Sequence, residues 1–464
     1  MLEKLFFLGL MFVPFTSIEG ISGLGEIQHE ISAYIFIAMM GLFVPLVLSR
    51  AKEKAMGVDT QVYLIPKIMA VMLTVIALSF AVNFLTIKDS VFFGRSGIEK
   101  FVTSTIVVFY GFGIAGMTYV LSDRQPWDKM ILKPLLISVA LCSIFAFFEM
   151  AGRFNGAMAS LFKVISAPFY GTFEVMEWDT RLRSVAFEPP DFANSAGYMW
   201  PWILASVIQA KGRGKLLTGA AFLALNVMIL LSEARTSFVV IGGLSVVFLG
   251  LLFVFSHKED GRDAEKMMLP MTLIFALVVP SCLFLFVYFY DTLIYNVVAG
   301  DNISNLSRLA SITAAMRMFE SSPVFGFGFG QFAFHVTQYM PSWGYYSPEI
   351  QVWLFGNGEF WPAVYSVYAR FAADMGVVGL LMWTGIWLYL ARAIVVGTLR
   401  YRKETGELPF AAFPLVMSCF CVLFAGVPCD SIRSPMIWIT MGLACRYLYS
   451  IKKISLSAQA QGST

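Results

Sequence analysis

Residues Thr236–Ser256 read TSFVVIGGLSVVFLGLLFVFS, twenty-one in succession without a charged side chain, and Arg235 stands immediately ahead of them. A helix rises 1.5 Å per residue, so this run would span about 30 Å, the thickness of a bilayer's hydrocarbon core. Runs of the same kind recur along the whole chain. Twelve spans are expected, at about 4–19, 31–49, 66–87, 101–121, 131–150, 193–210, 215–232, 236–256, 268–290, 372–396, 410–426 and 434–450. The first is the shortest, because Pro14 and the acidic residues after Ser17 cut it off. No small-residue cleavage pattern follows Phe15, so it is expected to be a helix and not a signal peptide.

Composition agrees with that reading. Of 464 residues, 58% are hydrophobic and 14% charged, against about 25% charged in an ordinary soluble domain. Too little polar surface remains to coat a water-soluble body. The expected fold is therefore all-α, a polytopic integral membrane protein with residues 1–464 forming a single membrane domain. A net charge of +3 from 33 Lys and Arg against 30 Asp and Glu gives no reason to expect a nucleic-acid partner. Most of the six cysteines fall inside apolar spans, where Cys behaves as a small hydrophobe. With no CxxC pair and three His, neither a disulfide framework, a metal site nor a metal cofactor is expected.

Lys and Arg are retained on the cytoplasmic side during insertion, so the loops that carry them give the orientation. Arg50, Lys52 and Lys54, then Arg124, Lys129 and Lys133, then Lys211, Arg213 and Lys215, then Lys258, Arg262 and Lys266, then Arg400, Arg402 and Lys403, and finally Lys452 and Lys453 fall in alternate loops. These would be cytoplasmic, together with both chain ends. The two long loops, about 151–192 and 291–371, would lie outside.

Long loops tend to carry function. The larger one opens with an amphipathic helix near 305–321: Ser304 and Asn305 offer N-cap side chains, and Leu309, Ile312, Met316 and Phe319 recur at helical spacing. Arg308 borders that face. Pro323 stops the helix, and GFGFG, Gly326–Gly330, follows. A GxGxG run binds nucleotide only between a strand and a helix of a βαβ unit, and neither context is present. The favoured reading is a turn packed against a membrane-surface helix, with Phe327, Phe329, Phe332 and Phe334 at headgroup level. Trp343, Tyr345, Tyr346, Trp353 and Trp361 crowd the rest of the loop, either as interfacial anchors or as platforms for sugars.

The smaller loop ends in RSVAFEPPDFANSAGY, Arg183–Tyr198, with a helix expected from about Phe192. Arg183, Arg235 in the tight tip SEART, and Arg308 all fall on the outer side. A charge near hydrocarbon costs at least about 2.5 kcal/mol, so each needs a partner. If they converge they form a diphosphate-binding cluster, because the guanidinium fork matches phosphate oxygens in pairs; if they do not, each is separately snorkelling or salt-bridged. Glu149, Arg370 and Asp374 lie near helix ends, where they would reach water.

Three segments in order, SEARTSFVVIGGL, SRLASITAAMRMFESSPVFGFGFGQF and YSVYARFAADMGVVGLL, resemble the O-antigen polymerase and O-antigen ligase superfamily (Wzy and WaaL types). The resemblance covers about residues 180–395. It implies a GT-C-like membrane glycosyltransferase of the bacterial inner membrane, with its active site facing the periplasm and without metal or nucleotide sugar. The donor it implies is an oligosaccharide linked to undecaprenyl diphosphate; a Wzz-type regulator of chain length and a flippase would be its partners in the pathway. Arg183, Arg235 and Arg308 match the family's diphosphate-binding arginines, and Arg308 would also stabilise the leaving group. Ligases carry a His-Asn pair where this chain has Tyr365 and Ser366. That departure favours a polymerase, which passes the growing glycan to an incoming lipid-linked repeat unit, over a ligase, which passes it to lipid A core. The base that activates the acceptor is open among His335, Glu349 and Glu188, since a carboxylate near lipid and aromatics can have its pKa raised to a useful value. Trp343, Tyr345, Trp353 and Trp361 would line the path of the glycan. The rival from another class is a flippase or other transporter, but no internal repeat of the kind such proteins use is visible.

Overall fold

The computed structural model describes residues 1–21, 27–54, 64–122, 127–170, 181–256, 303–356, 358 and 360–462. Most of them are helical. The elements are α1 (Leu2–Met11), α2 (Ile31–Lys54), α3 (Leu64–Asp89), a short hairpin of β1 (Val91–Phe92) and β2 (Arg95–Ser96), α4 (Gly97–Leu121), α5 (Lys133–Gly152), α6 (Gly156–Tyr170), α7 (Pro189–Gln209), α8 (Arg213–Leu231) and α9 (Arg235–Ser256). Beyond residue 302 come α10 (Ile303–Ser321), α11 (Phe332–Tyr339), α12 (Pro348–Phe355), α13 (Val367–Thr405), α14 (Ala412–Ala425) and α15 (Pro435–Gly462). Ten of the twelve apolar runs fall on a helix along most of their length, the run at 4–19 does so only as far as Met11, and the run at 268–290 lies outside the described residues.

Among the described residues six helices are long and apolar enough to cross a membrane: Leu64–Asp89, Gly97–Leu121, Lys129–Gly152, Arg213–Leu231, Arg235–Phe255 and Val367–Thr405. The chain is thus an integral membrane protein of the all-α class. Helix α1 corrects the expectation for 4–19. Its ten residues rise only about 15 Å, and Phe6 and Leu10 pack inside the bundle against α2 and α5. The stretch about 151–192, read only as a long loop, contains regular structure. Its first part forms α6, folded back on α5, with Phe162 and Ser166 buried.

The centre of the fold is a broken helix. Gly376 interrupts α13 with φ 66° and ψ −160°, a backbone that only glycine adopts without strain. The break frees backbone groups of α13, and the GFGFG turn takes them up. Phe327 and Gly328 donate their amides to the Ala373 and Asp374 carbonyls at 3.0 and 2.7 Å, and Val377 donates to the Pro323 carbonyl at 2.8 Å. Irregular backbone inside a membrane protein needs this kind of cover, because lipid offers no hydrogen bonds. The Asp374 carboxylate, fully buried, accepts from the Gly330 amide at 2.9 Å and from the Phe332 amide at 3.0 Å, where α11 begins. Arg370 sits 3.8 Å away.

Three expectations change here. The turn packs against the interior of α13, and Phe329 and Phe332 are buried in protein, not set at headgroup level. Asp374 does not reach water, its side chain being 0% exposed, and Glu149 does so only slightly, at 9%; Glu149 accepts from the Ser184 amide at 2.8 Å and the Arg183 amide at 3.3 Å. Helix α10 buries a different face from the one its large apolar residues mark. Ala310, Ala314, Ala315 and Met318 are buried, whereas Leu309 and Met316 are exposed. The reason is close approach: α10 lies against α13, and small side chains let two helix backbones come together. With Val336, Met340, Ile350, Trp353 and Val364 these alanines form a second core, separate from that of the bundle.

Candidate active site

The two long loops meet at the tip between α8 and α9. Arg235, first residue of α9, donates from its guanidinium to the Asn305 side-chain oxygen in the first turn of α10. Asn305 therefore pairs with Arg235 and does not cap the helix, as its position ahead of the apolar residues had suggested. Arg308, one turn further along α10, and Arg181 both lie within electrostatic reach of Arg235. Three guanidinium groups so placed repel one another, and an anion between them would relieve that repulsion.

Arg308 is held in an unusual way. Its guanidinium carbon stands 5.2 Å from the centre of the Tyr365 ring. Among the described residues it makes no hydrogen bond, so its five donors are open. Tyr365 in turn donates its hydroxyl hydrogen to one oxygen of Glu349, and the buried Ser307 donates to the other. Burial and the negative charge of Glu349 push the Tyr365 phenol well above its ordinary value, so it stays a donor. Tyr365 adopts φ +61°, a left-handed backbone that is rare for a bulky residue and marks a strained position. Its own carbonyl neighbours lead into α13 through Ser366, so the strain sits where the loop enters the membrane helix.

Glu188 approaches from the smaller loop, at the N-cap of α7, with Pro189 and Pro190 in the first turn behind it. Among the described residues nothing hydrogen-bonds its carboxylate, and its side chain opens to the surface. The surrounding protein still raises it above the ordinary carboxylate range, chiefly by desolvation and then through Asp191 and Glu349, while Arg308 and Arg181 pull it down. Glu349, Tyr365 and Arg308 are thus joined by contact, and Glu188 adds to this cluster through the charges of Arg308 and Glu349 that act on it.

Arg183 is placed differently. It belongs to the elbow around Glu149, where its amide donates to Glu149 and its guanidinium reaches the Phe187 carbonyl at 3.5 Å. Arg181, two residues earlier, is the arginine that this loop sets near Arg235 and Glu188.

His335 lies apart from the arginines, under the glycine turn. Its ring is 4.7 Å from that of Phe327, its Nε2 has no partner among the described residues, and burial lowers its pKa, favouring the neutral ring. The aromatic residues divide. Trp353 is buried in the second core beside Tyr365, with ring centres 5.7 Å apart. Trp343 packs on that core. Tyr345 donates to the Thr337 carbonyl at 3.1 Å, and Tyr346 is 80% exposed. Trp361 stands with the hairpin, flanked by Phe92 and Phe334 and by the cations of Arg95 and Lys100 at 5.6 and 5.2 Å from its ring.

Among curated proteins no relative matches the chain. A family model described as O-Antigen ligase matches residues 219–384, which takes in Arg235, Arg308, Glu349, Tyr365 and the broken helix but neither Arg181 nor Glu188. Over those residues the chain is similar to the O-antigen polymerase and ligase superfamily, which the match supports.

Proposed function

We propose that the protein is a glycosyltransferase of polysaccharide assembly that polymerises O-antigen-type repeat units. The observation that carries this reading is Arg308: a half-buried guanidinium with open donors, set beside Arg235 and Arg181 where both long loops converge. An array of that kind suits a diphosphate, whose leaving oxygen gains negative charge as the glycosyl bond breaks. In this reading the donor is an oligosaccharide on undecaprenyl diphosphate, and the guanidinium groups supply the positive charge the reaction needs. The reaction takes place at the periplasmic face of the inner membrane, and the chain ends are cytoplasmic. The acceptor is the terminal sugar of the next lipid-linked unit. A Wzz-type regulator and a flippase act before and beside it.

A ligase is the second reading, favoured by the description of the matching family model. Tyr365 in place of the ligase histidine supports the polymerase instead. Deleting the gene separates them. Lipid A carrying one repeat unit indicates lost polymerisation, polymer accumulating on undecaprenyl diphosphate indicates lost ligation, and units trapped on the inner leaflet indicate lost flipping, which would overturn both enzymatic readings.

A further inference from the structure

The cluster contains two carboxylates, and their surroundings set them to different tasks. Glu349 has both oxygens engaged by hydroxyl donors, Ser307 on one and Tyr365 on the other. A carboxylate so occupied is a poor acceptor for a substrate proton, but it is well suited to hold Tyr365 still. The Tyr365 ring is the platform under Arg308, so the fixed carboxylate orients the guanidinium through one intermediate residue. Glu188 is the opposite case. Its oxygens have no hydrogen-bond donor among the described residues, it opens to the surface, and it lies within electrostatic reach of Arg308. The prolines at the start of α7 limit the backbone freedom of its neighbour.

From this geometry we infer that Glu188 is the catalytic base that takes the proton of the acceptor hydroxyl, while Tyr365 and Glu349 are positioning residues that hold Arg308 against the donor diphosphate. The assignment rests on the glycosyl-transfer reading given above. In the step itself, the acceptor oxygen attacks the anomeric carbon of the donor and its proton passes to the Glu188 carboxylate. The bond from that carbon to the diphosphate oxygen breaks, its electron pair leaves with the lipid diphosphate, and Arg308 stabilises the added charge. Glu188 then releases the proton to solvent. One glycosidic bond is formed and one glycosyl phosphate bond lost, with no other reactant needed.

The test uses the full-length protein in nanodiscs with inorganic pyrophosphate as the binding probe, and the surface glycan ladder of a deletion strain as the product readout. The variants are Glu188→Gln, Glu349→Gln, Tyr365→Phe and Arg308→Ala. Glu188→Gln should bind pyrophosphate at least as well as the parent and lose product by about a hundredfold or more, the ordinary loss for a missing general base. Tyr365→Phe keeps the ring and removes only the bond to Glu349. It and Glu349→Gln should weaken pyrophosphate binding by about fivefold or more, since a loosened guanidinium loses its paired hydrogen bonds, and the product should fall in proportion. Product at parental level from Glu188→Gln overturns the base assignment. Unchanged pyrophosphate binding in Tyr365→Phe and Glu349→Gln overturns the positioning role. If the parent itself binds no pyrophosphate and Arg308→Ala makes a normal ladder, the glycosyl-transfer reading fails beneath both.

Discussion

Gly376 and Val324 touch so closely that a Cβ on Gly376 would stand 2.3 Å from the Val324 carbonyl carbon. On the other side of the same contact, a Cβ on Gly326 would meet the Asp374 carbonyl carbon at 2.4 Å. The two glycines interlock the broken helix with the glycine turn, and the turn leads directly from α10 to α11. The site arginine on α10 is therefore located, through backbone contacts, by a membrane helix. Gly376→Ala should cost about 1–3 kcal/mol from its positive-φ backbone alone, with the clash added. Thermal unfolding in detergent should show a marked drop in Tm, and the glycan ladder should be lost with it.

Asp374 offers a related prediction with a different cause. Each of its oxygens accepts a backbone amide, from Gly330 and Phe332. Asn in its place can satisfy only one, and its own amide group would face the other donor inside a fully buried site. A buried donor without a partner costs about 1–3 kcal/mol, and Arg370 would lose its charge partner as well. Asp374→Asn should lower Tm and product together, while Asp374→Glu should restore neither, because the longer side chain does not fit a site with no free surface. A stable Asp374→Asn protein would remove the carboxylate from its structural role.

Arg181 and Arg183 should part company. Arg181 lies within reach of Arg235 and Glu188, whereas Arg183 serves the elbow around Glu149. Arg181→Ala should reduce the length or amount of polymer with little change in thermal stability. Arg183→Ala should act mainly on stability, by about 1 kcal/mol for the long guanidinium hydrogen bond to the Phe187 carbonyl. Equal effects of the two on the ladder at equal protein level would contradict this division.

The membrane helices were legible because burial in hydrocarbon imposes a long apolar run whatever the tertiary contacts. Their packing was not. Helix α10 shows why: Leu309 and Met316 mark an apolar face to the eye, yet the buried stripe is Ala310, Ala314 and Met318, chosen for closeness to α13 and not for hydrophobicity. Arg235 and Arg308 were visible as outer arginines that the positive-inside bias does not explain. Arg181 was not legible because nothing in the RLR triplet distinguishes it from Arg183; only tertiary placement puts one near Arg235 and the other at Glu149. Tyr365 was seen only as a missing histidine. Its connection to Arg308 and Glu349 depends on a left-handed backbone that a tyrosine does not advertise. The ten-residue α1 was overread as a span because apolar length alone cannot tell a buried short helix from a crossing one.

The pH dependence of Glu188 gives the most discriminating prediction. As a base it works only when ionised, so the reaction rate should rise with pH through its pKa. Desolvation, Asp191 and Glu349 raise that pKa, while Arg308 and Arg181 lower it. The acid limb of the rate should therefore lie above the ordinary carboxylate range. Removing a positive neighbour makes ionisation harder, so Arg181→Ala should move the limb to higher pH. Removing a negative neighbour makes it easier, so Asp191→Asn should move the limb to lower pH. Both substitutions leave the carboxylate itself in place, and initial rates of glycan extension in nanodiscs between about pH 4 and pH 8, a window that brackets a carboxylate and any upward shift, would measure the midpoints. Opposite displacements identify Glu188 as the titrating base; midpoints that stay fixed in both variants would assign the acid limb to another group.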